Sequence, residues 1–140
     1  MSEDNILHTF SKIGIIYIII ILIDIPMIMN NKMYNNLFLS INNNVPISLN
    51  NNIYFSIFLA YFLISFGLYY FVIKNSTNFK QTLIEAFIFG IVLYGVYDTT
   101  NYATILKYNA RVAIIDTIWG GILSMIVTGV YLKFGNKIIT

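Results

Sequence analysis

The chain has 140 residues, 58% of them hydrophobic, with eight Lys/Arg, six Asp/Glu and a mean hydropathy of +0.74. It is too apolar to cover a soluble globule of this size with polar surface. The cations behind its net charge of +2 are spread along the chain, which excludes the basic patch of a nucleic-acid binder, and the lack of cysteine excludes a disulfide framework, a thiolate metal site and a cysteine nucleophile.

A membrane-spanning helix needs about 20 mostly apolar residues, and four segments qualify. The reading is an all-α, single-domain integral membrane bundle of four transmembrane helices. The first, residues 13–29 (IGIIYIIIILIDIPMIM), holds one charge, Asp24. It reads as an uncleaved helix, because an acidic start (MSEDN) precedes it and no small-x-small cleavage site follows. Pro26 denies a backbone hydrogen bond to Leu22 and is expected to bend or end this helix. Residues 30–52 hold ten of the sixteen asparagines and read as a polar low-complexity loop. The second helix, residues 53–73, is uncharged; the third, residues 82–99, carries Glu85 near its start and Asp98 near its end; the fourth spans residues 112–132. In lipid the backbone must satisfy its own hydrogen bonds, so β-branched and aromatic runs that favour strands in water become helices.

Four crossings put Lys12, Lys74, Lys80, Lys133 and Lys137 on one side and Lys32, Lys107 and Arg111 on the other. Five cations against three favour cytosolic termini. The Asn75-Ser76-Thr77 sequon then falls in a cytosolic loop close to the membrane and is read as unused.

Asp24 lies six residues before Asn30, Asp98 three before Asn101, and Asp116 five after Arg111. A rise of about 1.5 Å per residue puts all three roughly 5–9 Å from the same non-cytosolic boundary. Carboxylates at that depth face one another, a cation or water. Tyr94 and Asn101 flank Asp98 at helical spacing, and Trp119 and Gly120 follow Asp116 in the same way. Lys107 and Arg111 in the connecting loop are expected to compensate the charge.

Small residues at four-residue spacing, Ala86/Gly90, Ser56/Ala60 and Gly120/Ser124/Thr128, read as close helix packing, with homo-oligomerisation as the alternative. Tyr69, Tyr70, Tyr131 and Trp119 fit an interfacial aromatic belt. His8, the one histidine, precludes multi-histidine iron sites and HExxH zinc sites. No GxSxG elbow, P-loop or GxGxxG occurs. No catalytic residue and no cofactor is assigned, and whether a metal is held is left open.

The segments G-x-x-x-Y-x-x-Y-D-T-T-N-x-A-T and D-x-x-W-G resemble the signature of the membrane proteins grouped as domain of unknown function 2177. The matching residues are Gly90, Tyr94, Tyr97, Asp98, Thr100, Asn101, Ala103 and Thr104, then Asp116, Trp119 and Gly120. Asp24 and Tyr34 match an Asp late in the first helix and a Tyr beyond it. Departures are Thr99 for Leu, Tyr108 and Asn109 for Trp-Pro, a basic residue displaced to Lys107, and Pro26-Met27 for an aromatic. The resemblance implies four membrane helices and supplies no reaction. Its large-DNA-virus members are a precedent for an asparagine-rich version in a virion or host membrane.

The leading expectation is a pocket that binds a cation, a proton or a small polar ligand such as a lipid headgroup. Its candidate residues are Asp24, Tyr94, Asp98, Thr100, Asn101, Asp116 and Trp119. The alternative is a structural or assembly membrane protein whose aspartates clasp helices; a third is a lipid-modifying enzyme. The partner expected in every case is the lipid bilayer.

Overall fold

A chain with few polar groups to offer water closes its backbone hydrogen bonds locally, and the computed structural model is helical nearly throughout. It describes residues 3–135, with side chains from residue 6. Met1, Ser2 and Lys137, used above for the N-terminal reading and the charge balance, lie outside the described residues, as do the side chains of Glu3, Asp4 and Asn5. The elements are α1 (Glu3–Asn30), α2 (Lys32–Ile41), α3 (Asn51–Leu68), α4 (Phe79–Thr104) and α5 (Ala110–Val130). Single π-helical turns extend α3 over Tyr69–Ile73 and α5 over Tyr131–Gly135. No strand occurs among the described residues.

Four of these helices are long and apolar enough to cross a membrane, over stretches of 25, 23, 26 and 26 residues. At 1.5 Å per residue they measure about 35–39 Å, which exceeds a hydrocarbon core of about 30 Å. Three of them, α3, α4 and α5, reach past the apolar runs at a start that an asparagine caps. The side chain of Asn50 accepts from the Asn52 and Ile53 amides, Asn78 from Gln81, and Asn109 from Arg111 and Val112. Each thereby satisfies amides that a helix start leaves without partners.

One expectation is narrowed and one corrected. Of the bend or end expected at Pro26, the end does not occur: α1 runs four residues further, to Asn30. One missing amide removes one bond, that to the Leu22 carbonyl, and the Asn30 side chain ties the helix end by donating to the Pro26 carbonyl at 2.9 Å. The asparagine-rich stretch is not loop throughout, since α2 occupies ten of its residues. Asn31 caps α2 by accepting from the Met33 amide. Tyr34 and Leu37, three residues apart, share one face of α2, and both are buried. The chain then leaves α2 through Asn43 and Asn44 in the left-handed region, at φ 53° and 62°, which asparagine adopts more readily than other non-glycine residues.

The closest pairing is α4 with α5, and small side chains permit it. A Cβ on Gly90 would strike the Gly120 carbonyl and the Ser124 hydroxyl, and one on Gly120 would strike the Tyr94 ring. Ala86, Gly90, Gly120, Ser124 and Thr128 are all buried, as the packing reading requires, whereas Ser56 and Ala60 stay exposed on α3. α1 packs against both α3 and α5. The main core joins Ile13, Ile16 and Ile20 of α1 to Leu123 and Val127 of α5 and to Leu68 at the end of α3. A smaller cluster holds Tyr34 and Leu37 of α2 against Val112 of α5. Outward faces carry Leu22, Ile88, Val96 and Ile114, which suit contact with lipid.

Candidate functional site: a layer of carboxylates and hydroxyls

Late in α1, Asp24 is buried and accepts two hydrogen bonds. The Tyr61 hydroxyl of α3 donates to Oδ2 at 2.8 Å, and the Trp119 indole N–H of α5 donates to Oδ1 at 2.8 Å. One carboxylate therefore ties three helices. Asp98 of α4 is completely buried. Its Oδ1 accepts from Tyr108 in the α4–α5 connection at 2.7 Å, and its Oδ2 from Thr117 of α5 at 3.1 Å. Asp116 of α5 differs: it is half-buried, and its Oδ1 accepts from the Tyr34 hydroxyl of α2 at 2.6 Å. Asp116 Oδ2 takes no hydrogen bond from a described residue and is not sealed in the interior. Both oxygens of Asp24 and of Asp98 are occupied, and one of Asp116 is open.

Two of the phenols lie outside the spanning segments and record the local field. Burial, the bond to Asp116 and the charges of Asp116, Asp24 and Asp98 push the Tyr34 hydroxyl well above the usual tyrosine range. All three aspartates thus act on one residue. Tyr108 is raised by burial and then by its bond to Asp98, against a lowering contact with the Asn101 side chain. Both phenols stay protonated at ordinary pH and serve as donors.

The expectation that Lys107 and Arg111 compensate the aspartates is corrected, because the partners are neutral hydroxyls and an indole. Lys107 instead donates to Asn43 at 3.0 Å. Its loop turns it toward the residues that follow α2, while the adjacent Tyr108 reaches Asp98. Nor do the carboxylates converge on one point: among the described residues no group of three or more His, Cys, Asp or Glu is arranged to hold a metal ion.

Tyr94 stands within electrostatic reach of Asp24 and Asp116, its ring against Gly120. Trp119 and Asn101 take part through Asp24 and Tyr108 respectively. Thr100 is exposed, and its carbonyl accepts from Thr104. Tyr61, Tyr108 and Thr117 were not singled out as site residues from the sequence. Tyr61 is one aromatic among many in an uncharged helix, and nothing local marks it. Thr117 does carry a signal, being the residue beside Asp116 on the helix that faces Asp98.

Fold and site together define a multi-pass membrane protein of four helices with a carboxylate–hydroxyl layer near the end that α2 covers. The chain belongs to the family described as "Predicted membrane protein (DUF2177)", whose model matches residues 9–132. Comparison with curated proteins and with solved structures returned no match.

Proposed function

We propose that the protein binds a small, singly charged cationic group, a proton or a primary ammonium such as that of a lipid headgroup, at Asp116. The open Oδ2 of that carboxylate carries the reading, since Oδ1 is held by Tyr34 and both oxygens of the other two aspartates are engaged. One open oxygen suits a single donor. A dehydrated divalent ion such as Ca²⁺ takes about six to eight oxygen ligands, and the described side chains leave one carboxylate oxygen open. Asp24 and Asp98 then serve as clasps that hold α1, α3, α4 and α5 in register around the site, which is the role expected of carboxylates whose acceptors are satisfied by side chains from other elements.

The test is thermal unfolding of detergent-solubilised protein titrated with ethanolamine and, separately, with magnesium. A group that binds the folded state raises its stability. Ethanolamine should stabilise the wild type, magnesium should not, and Asp116→Asn should abolish the ethanolamine effect while Asp98→Asn, though less stable, retains it. Equal ethanolamine responses in wild type and Asp116→Asn would overturn the reading.

A further inference from the structure

Beyond the aspartate layer, at the same end of the bundle, a cleft of about 600 Å³ opens between α2, the α4–α5 connection and the start of α5. Its polar lining is Asn36, Ser40, Lys107, Asn109 and Arg111, and its apolar lining includes Met33. None of the three aspartates lines it. We propose that this cleft binds a phosphate-bearing anionic group, that of a lipid headgroup, with Lys107 and Arg111 as its cationic ligands.

Four observations carry this. Charge is the first: the connecting residues 25–52 and 99–115 hold Lys32, Lys107 and Arg111 and no Asp or Glu, and the nearby Asp24, Asp98 and Asp116 take their hydrogen bonds from hydroxyls and an indole, not from Lys107 or Arg111. The second is availability. The Arg111 side chain has no hydrogen-bond partner among the described residues, and its planar fork of donors suits phosphate oxygens. Lys107 is held by one bond to Asn43, which positions the ammonium and leaves two of its three donors free. Depth is the third. The lining residues belong to the two connections between spanning segments and to the first turn of the last one, the level at which headgroups lie. Shape is the fourth: Met33, Leu37 and Val112 give the cleft an apolar side continuous with the α2–α5 cluster, where the first methylenes of an acyl chain fit.

This site is separate from the one proposed at Asp116, and the two can fail independently. The experiment measures thermal stability and lipid retention of purified protein in mixed micelles with phosphatidylglycerol or phosphatidylcholine, and with inorganic phosphate alone. Phosphatidylglycerol should stabilise the wild type and stay bound, phosphatidylcholine much less. Lys107→Gln/Arg111→Gln should weaken the phosphatidylglycerol effect by about tenfold or more in apparent affinity, as expected for the loss of charged hydrogen bonds. Lys107→Arg/Arg111→Lys should keep most of it, and Lys80→Gln, in the first turn of α4 at the other end of the bundle, all of it. Asp116→Asn should retain the response, which separates this site from the ammonium site. A wild type that does not distinguish the two lipids, or a double Gln variant that responds as the wild type does, would overturn the proposal. Inorganic phosphate matching phosphatidylglycerol at equal phosphate concentration would overturn the lipid as the source and leave the cleft to a soluble phosphate.

Discussion

The Tyr34 hydroxyl donates to Asp116 Oδ1 at 2.6 Å across 82 positions of sequence, and this bond fastens α2 to α5. The rest of the α2 attachment is the small apolar cluster that Tyr34 and Leu37 form with Val112. Tyr34→Phe keeps the ring and removes the donor. We expect amide exchange to quicken across Lys32–Ile41 while α4 and α5 stay protected, readable by hydrogen–deuterium mass spectrometry. Unchanged protection of α2 would show that packing alone seats it.

Asp24 joins α1 to both α3 and α5 through Tyr61 and Trp119. The single substitutions Tyr61→Phe and Trp119→Phe should each cost about 0.6–1.7 kcal/mol, the scale measured for polar contacts between membrane helices. Because both donors serve one carboxylate, their effects should not add, with a coupling of about 0.5 kcal/mol or more in a double-mutant cycle. Strict additivity of unfolding free energies would show that the two bonds act independently.

Asp98→Asn should destabilise more than Asp116→Asn. Asp98 is fully buried with both oxygens engaged, and an amide there turns one acceptor into a donor facing a hydroxyl; a disrupted buried bond of this kind costs about 1–3 kcal/mol. At Asp116 an asparagine can keep its carbonyl oxygen toward the Tyr34 hydroxyl and turn its amide to the open side. Equal thermal unfolding of the two variants would contradict this difference.

Gly120→Val places branched carbon against the Tyr94 ring, where even a Cβ collides. Forced overpacking costs about 1–3 kcal/mol or more, and here it pushes apart the closest helix pair. The expected result is a lower melting temperature that Tyr94→Ala partly restores. Gly95→Ala, whose Cβ would meet only the Thr117 methyl at 3.5 Å, should be nearly neutral.

The four spanning helices were legible because a bilayer leaves an apolar chain few choices: runs such as Ile13–Met29 must close their hydrogen bonds internally. The gathering of Asp24, Asp98 and Asp116 was expected on the same kind of ground, since a fixed rise per residue converts sequence offset into height, and all three act on Tyr34. α2 was not, because asparagine count is a poor guide to a segment whose helix depends on Asn31 capping its start and on the burial of Tyr34 and Leu37 against α5. Composition also could not say which groups meet the carboxylates. Lys107 and Arg111 are near in sequence and of the right sign, yet Tyr61, Trp119, Tyr108 and Tyr34 are the partners, brought in from other elements by packing. Helix length is a property of one segment in a solvent slab, and the sequence alone determined it. The rotation of each helix about its axis depends on how Gly90, Gly120 and Tyr94 interlock. That rotation decides which carboxylate oxygen is left open, and only the tertiary structure decided it.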